Sequence, residues 1–405
     1  MRSYRHSFLI NNSLFKLNIL LLGIFCFARI YRNSFAYESE QQGGIWNVIA
    51  LFYIFEAFIL VNKKKIRTPF VIASAFYFSF LTMLHSLFFL KTVSSTELYY
   101  VLMVSFYACV LYDFYYCSRC VLNRWDKILT YIIFLAIAIV AFLSMQGFRE
   151  ASFEFVMVSS AYYPLCLLPF IIQIDYNKYL KIFAYLLVAV IIALSLKRTG
   201  TIALIGFIIC AMFNKYFSSR NIKTLTSGAI ALSIIAILLF LAYSRLADEY
   251  DLTLFERINN LSEDGGSSRD KIYATLISSY LNSNLLEMLF GHGLGSVGTV
   301  LPKGYTAAHD DFLQILFESG LLPCLIFILH YYALFRTTIS MISCRYEYSG
   351  IMLGSFFIGL LMSLFSTYCV SFSYVLCGAA FLGYALSQYN MSKVKSYKIA
   401  SRLHQ

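Results

Sequence analysis

Residues 307–320 read AAHDDFLQILFESG, so that His309, Asp310 and Asp311 lead straight into an apolar helix. They close a long polar stretch, Ser244 to His309, in a chain that is otherwise a succession of apolar segments. A bundle that only crosses a bilayer needs no such insert. An enzyme that meets its substrate at the membrane surface needs a polar place to do chemistry, and this stretch provides one.

Working outward, 60% of the 405 residues are apolar and 13% are charged, with a mean hydropathy of +0.70. That is far from a soluble domain. A span takes about 20 mostly apolar residues. About twelve stretches meet the need: 14–31, 45–61, 69–90, 97–117, 128–145, 151–174, 180–197, 200–217, 225–243, 311–335, 350–368 and 369–389. Each is expected to be helical, because an open strand in lipid leaves backbone polar groups unsatisfied. The predicted fold is all-α: one polytopic integral membrane domain, 1–405, with about twelve transmembrane helices and one long extracytoplasmic loop, 244–310.

Charge sets the expected orientation. With Met1 inside, most of the 32 Lys and Arg residues fall on the cytosolic side, among them Lys63, Lys64, Lys65 and Arg67, then Arg119, Arg124 and Lys127, and finally Lys393, Lys395, Lys398 and Arg402. Few lie at the short outer turns, and a long loop is exempt from the rule. Both termini are then cytosolic. The net charge of +11 is largely this topology signal, not a nucleic-acid footprint. The first apolar stretch runs into Arg29-Ile30-Tyr31-Arg32 without a small-x-small site, so it is expected to remain as a span. None of the ten cysteines falls in the loop, which excludes a disulfide staple there, and the lone Cys117-x-x-Cys120 reads as packing, not metal.

Within the loop, Ser267 and Asp270 have the form of a capping box, and Lys271–Phe290 is expected to be one amphipathic helix on the membrane surface or over a cavity. Ile272, Leu276 and Tyr280, with Ile277 and Leu281, share a side at helical spacing. Next comes Gly291-His292-Gly293-Leu294-Gly295-Ser296-Val297-Gly298. It satisfies GxGxxG literally but lacks the strand of a dinucleotide site, and reads as a flexible hinge.

These residues carry a resemblance. Leu194-Ser195-Leu196-Lys197-Arg198-Thr199-Gly200, Ser268-Arg269-Asp270, Phe290-Gly291-His292-Gly293-Leu294-Gly295 and the 307–320 stretch resemble the O-antigen polymerase and O-antigen ligase superfamily of bacterial membrane glycosyltransferases. The resemblance covers about residues 190–335, and Asp310 stands where the family often has Asn. It implies a GT-C-like, metal-independent glycosyltransferase without cofactor in the bacterial inner membrane. The implied donor is an oligosaccharide on a polyprenyl (undecaprenyl) diphosphate. Implied partners are membrane lipids and a chain-length regulator and flippase of the same pathway.

Such a transfer needs cations for the leaving diphosphate, which suits planar Arg, and a base for the attacking hydroxyl, which suits neutral His. Arg198 and Arg269 are the expected clamp and His309 the expected base; an anchored helix end, a solvated first turn and a helix cap are their plainer readings. Arg245, His292, Asp310, Asp311 and Gln314 are expected at the substrate, although Arg245, like Arg257, has acids close by that suit a loop salt bridge. Glu318 shares the helical face of Asp311 and Gln314. Inside the spans, Glu56 and Glu154 are acids that a proton-coupled transporter also shows, while His85 reads as packing. Three functions follow in order: a polymerase of lipid-linked repeat units, a ligase moving the finished glycan to a lipid acceptor, and a flippase. The His-Asp-Asp entry resembles the polymerase pattern.

Overall fold

A computed structural model describes residues 2–35, 44–63, 68–89, 95–151, 159–174, 177–195, 197–219, 237, 269–302, 307–366 and 374–403. Among them every regular element is a helix. In chain order these are α1 (Arg2–Phe35), α2 (Gly44–Lys63), α3 (Phe70–Phe89), α4 (Ser95–Cys117), α5 (Arg124–Ala151), α6 (Tyr162–Gln173), α7 (Lys178–Ser195) and α8 (Arg198–Ser219). Then come α9 (Arg269–Leu281), α10 (Leu285–Phe290), α11 (Val297–Val300), α12 (Asp311–Ser319), α13 (Leu321–Ser343), α14 (Ser349–Phe365) and α15 (Val375–Leu403).

Among the described residues four stretches are long and apolar enough to cross a membrane: Asn12–Tyr31, Arg124–Met145, Lys178–Ser195 and Leu321–Ser343. Asn47–Asn62, Phe70–Leu84, Arg198–Met212 and Ser349–Phe365 are shorter apolar helices. The expected ninth span, 225–243, and the first part of the loop, with Arg245, Arg257 and Ser267, lie outside the described residues, as does Glu154.

The core sits where α4, α6 and α15 meet. Every residue of α6 is buried, and α15 is buried without interruption from Val375 to Ser387. Helices apolar on all sides belong in such positions. A Cβ on Gly383 would stand 2.4 Å from the Leu111 carbonyl oxygen, so α15 meets α4 at a distance that only glycine permits. Phe15, Phe114 and Phe170 interlock edge to face, with centroids 5.9 to 6.3 Å apart, and tie α1 to that centre. Around it α1 packs on α5, α2 on α4, α3 on α13 and α8 on α14.

Two predicted elements are broken. The span expected at 311–335 is two helices, because Gly320 sits at φ +88° and redirects the chain between α12 and α13. The amphipathic helix expected at Lys271–Phe290 is also two. Asn284 starts a new helix with a reciprocal capping box to Glu287, 2.9 and 3.1 Å, and that ends the continuity. The inner face of α9 is as expected, with Ile272, Leu276 and Tyr280 buried. Ile277 and Leu281, expected on the same side, are exposed.

Candidate active site

Three segments bring the candidate groups together. The first is the turn between α7 and α8. Ser195 Oγ donates to the Ile192 carbonyl at 2.7 Å and accepts the Lys197 N–H at 3.3 Å, which closes α7. The Lys197 carbonyl then accepts the Thr201 N–H and opens α8. Lys197 and Arg198 therefore stand at a helix N-terminus, where cations oppose the helix dipole. Helix stability does not explain them.

The second segment is α9, which begins with Arg269. Its buried face packs on Val297, Leu301, Ala308 and Phe317, so Arg269 is carried on a helix docked against α12 and the loop before it. The third is that loop, 307–310. The buried Ala308 N–H donates to Gln314 Oε1 at 3.2 Å, and Gln314 Nε2 donates to Glu318 Oε1 at 3.1 Å. Glu318 also accepts the backbone N–H groups of Gly295 and Val297, drawing the glycine-rich stretch in. On the other flank Asp310 caps α12, accepting the Leu313 N–H at 2.8 Å.

His309 is pinned between those two anchors at φ +58°. A non-glycine residue in the left-handed region is uncommon, and such backbone strain concentrates at functional sites. The ring keeps an exposed face. Crowding by the protein, then the positive charges of Arg269 and Lys197, hold its pKa below the ordinary imidazole value. At neutral pH it is a neutral base. Burial, then Arg269, lowers the Lys197 ammonium to about 8. Neither Lys197 nor Arg269 forms an ion pair among the described residues. Tyr273 lies near both Asp310 and Arg269, and Tyr162 hydrogen-bonds Thr199 and Ser366 beside Arg269. The result is a cationic site with a neutral imidazole at its edge.

Lys197 was not among the expected site residues, although it shares the signal of Arg198: a cation at a turn that opposes the charge bias. The positive groups that bear on His309 are Arg269 and Lys197; Arg198 is the next residue along α8. The other described residues expected at the substrate are engaged within the protein. Asp311 is fully buried and accepts the Ser363 hydroxyl at 2.8 Å, so it fastens α12 to α14. Gln314 holds the loop from within. Asp310 is the helix cap, a role that His309 does not take. His292 has both ring nitrogens engaged, with the Phe317 carbonyl at 3.1 Å and Ser283 Oγ at 2.9 Å, and stacks on Phe317 with centroids 4.3 Å apart. It is a positioning residue.

The glycine-rich stretch is no hinge. A Cβ on Gly291 would lie 2.4 Å from the Glu318 carbonyl oxygen, and one on Gly320 would lie 2.4 Å from that of Leu289. Gly293 N–H also donates to the Glu318 carbonyl at 2.9 Å. Positive φ at Gly291, Gly293 and Gly295 lets this chain lie flat on the end of α12. Among the described residues no group of three or more His, Cys, Asp or Glu side chains is placed to hold a metal ion.

Fold and site together define a helical membrane protein with a cationic site built from the α7–α8 turn, α9 and the loop before α12. No protein-family model matches the chain, and no curated protein matches it.

Proposed function

We propose that this chain is a polymerase of the O-antigen polymerase type, joining oligosaccharide repeat units carried on undecaprenyl diphosphate. The observation that carries the reading is the convergence of Lys197 and Arg269 on a neutral, strained His309. A part-buried ammonium beside a guanidinium, with no carboxylate paired to either among the described residues, is suited to an anion of two or more charges.

In the proposed reaction the acceptor sugar hydroxyl attacks C1 of the donor glycan. The new O–C1 bond forms as the bond from C1 to the diphosphate oxygen breaks, and the polyprenyl diphosphate leaves with its electron pair. Arg269 and Lys197, with Arg198 beside them, stabilise that developing charge. His309 takes the hydroxyl proton. The full reading has about twelve spans, both termini cytosolic, the loop outside, and the site at the outer face of the bacterial inner membrane.

The test is purified protein with a defined lipid-linked repeat unit. Products growing by whole units support the reading. Transfer only to an added lipid-core acceptor moves the assignment to a ligase.

One observation favours an exporter of lipid-linked oligosaccharide as a second reading. Glu56 and Asp113 are buried close enough in the bundle to repel, and neither Asp113 oxygen has a hydrogen-bond partner. Movement of the intact donor across vesicles without elongation selects that reading.

A further inference from the structure

The elbow between α9 and α10 leaves a run of large apolar side chains uncovered. Ile277, Leu281, Leu285, Leu286 and Phe290 are between 39% and 72% exposed. The other side of α9 is already occupied, since Ile272, Leu276 and Tyr280 pack on Val297, Leu301 and Phe317. Among the described residues nothing therefore packs over this ridge. A contiguous apolar surface of that kind marks a partner.

What adjoins the ridge identifies the partner. α10 packs against α13, and the joint is tight, because Gly320 abuts the Leu289 carbonyl. α13 is one of the helices long and apolar enough to cross a membrane. Its first two turns expose Leu321, Leu322 and Leu325. The ridge thus adjoins the exposed apolar start of α13. Charge agrees. The one acid of α10, Glu287, is turned back, accepting the Asn284 N–H at 3.1 Å and lying 3.9 Å from His292 Nε2.

We infer that Ile277, Leu281, Leu285, Leu286 and Phe290 form a ridge that beds in membrane lipid at the α13 boundary without crossing the bilayer. An amphipathic surface element of this kind is held by its buried apolar area. Arg269, at the other end of the same 13-residue helix, is thereby kept within about 20 Å of the lipid. The inference does not depend on which reaction the site performs.

The test uses the full chain with Trp46 and Trp125 replaced by Phe, reconstituted into phosphatidylcholine–phosphatidylglycerol vesicles with or without brominated acyl chains. A single tryptophan introduced as Leu285→Trp, and separately as Phe290→Trp, is expected to lose most of its fluorescence to bromine and to resist aqueous acrylamide. Lys271→Trp, on the exposed polar side of α9, is expected to behave the opposite way. Acrylamide quenching without bromine quenching at both ridge positions overturns the inference. Protection from both quenchers also overturns it, and assigns the ridge to a protein contact. The two independent ridge variants keep the result decisive if one fails to fold.

Discussion

His330 in the bundle and His309 at the loop are opposite solutions for the same side chain. His330 is buried, with Ser74 Oγ 3.0 Å and the Val71 carbonyl 3.2 Å from Nδ1, and the Tyr107 hydroxyl 2.9 Å from Nε2. Its backbone is helical, and both ring nitrogens have partners. His309 sits on left-handed backbone, keeps an exposed face, and among the described residues meets the positive charges of Lys197 and Arg269. The same contrast runs through several acids and bases, the buried Glu56 and Asp113 of the bundle excepted. In the bundle Lys16 pairs with Asp126 at 3.6 Å and Asp311 is fastened by Ser363. At the α7–α8 turn the charges share one sign. Backbone strain and like charges gathered in one place are features that concentrate at functional sites.

The sharpest way to break that contrast is to remove the imidazole while keeping its backbone. His309→Asn and His309→Gly both tolerate positive φ. Each is expected to accumulate normally yet lose about 10²–10⁴-fold in elongation rate. Near-normal polymer from either, at matched protein level, makes His309 a structural residue like His330. Arg269→Ala is expected to cost about 10²–10³-fold, the usual loss of one preorganised charge donor. Arg269→Lys should recover only part, since an ammonium lacks the bidentate fork. Full activity of Arg269→Ala, scored by the length ladder of the product, removes the clamp.

Lys197 sharpens the comparison through pH. Its ammonium is lowered to about 8, so kcat/KM is expected to fall as pH rises through that value and the charge is lost. Lys197→Arg should erase this alkaline limb. The stability effect has the opposite sign. The unfolded chain binds the Lys197 proton more tightly, so stability rises with pH between about 8 and the ordinary lysine range. Lys197→Met should accordingly be more stable than the parent at pH 7, by roughly 1–3 kcal/mol, while elongating poorly. A lower Tm for Lys197→Met places Lys197 with the answered charges of the bundle. The smallest effect is expected at Asp310. Asp310→Asn keeps the cap on Leu313 and should be nearly silent, whereas Asp310→Ala should lose about 1 kcal/mol of stability in a denaturation assay.

Much of the bundle was legible because lipid imposes one rule along the whole chain. The stretch 128–145 lies inside α5, and 180–197 nearly coincides with α7. The breaks were harder. Asn284 and Glu287 do have capping-box spacing, so the end of α9 had a local signal that the apolar period overrode. Gly320 had none, because its role depends on the Leu289 carbonyl thirty-one residues earlier. The site was legible as a neighbourhood. His309 and Arg269 were singled out from residue type and place, but Lys197 stood beside a more conspicuous arginine. Only the fold shows that Lys197 bears on His309. Asp311, Gln314 and His292 looked like ligands because sequence cannot say which way a polar side chain turns. Each turns inward to hold the loop.

The mutual embrace of Gly291 and Gly320 also dictates an order of assembly. Neither contact exists until α10, the glycine-rich stretch and α12 have all left the ribosome, and Gly320 is the residue on which α13 begins. The candidate site is therefore framed only after Gly320, the residue that opens α13, has been made. A chain cut short before Glu318 would carry Lys197, Arg269 and His309 and still lack the contacts that frame them.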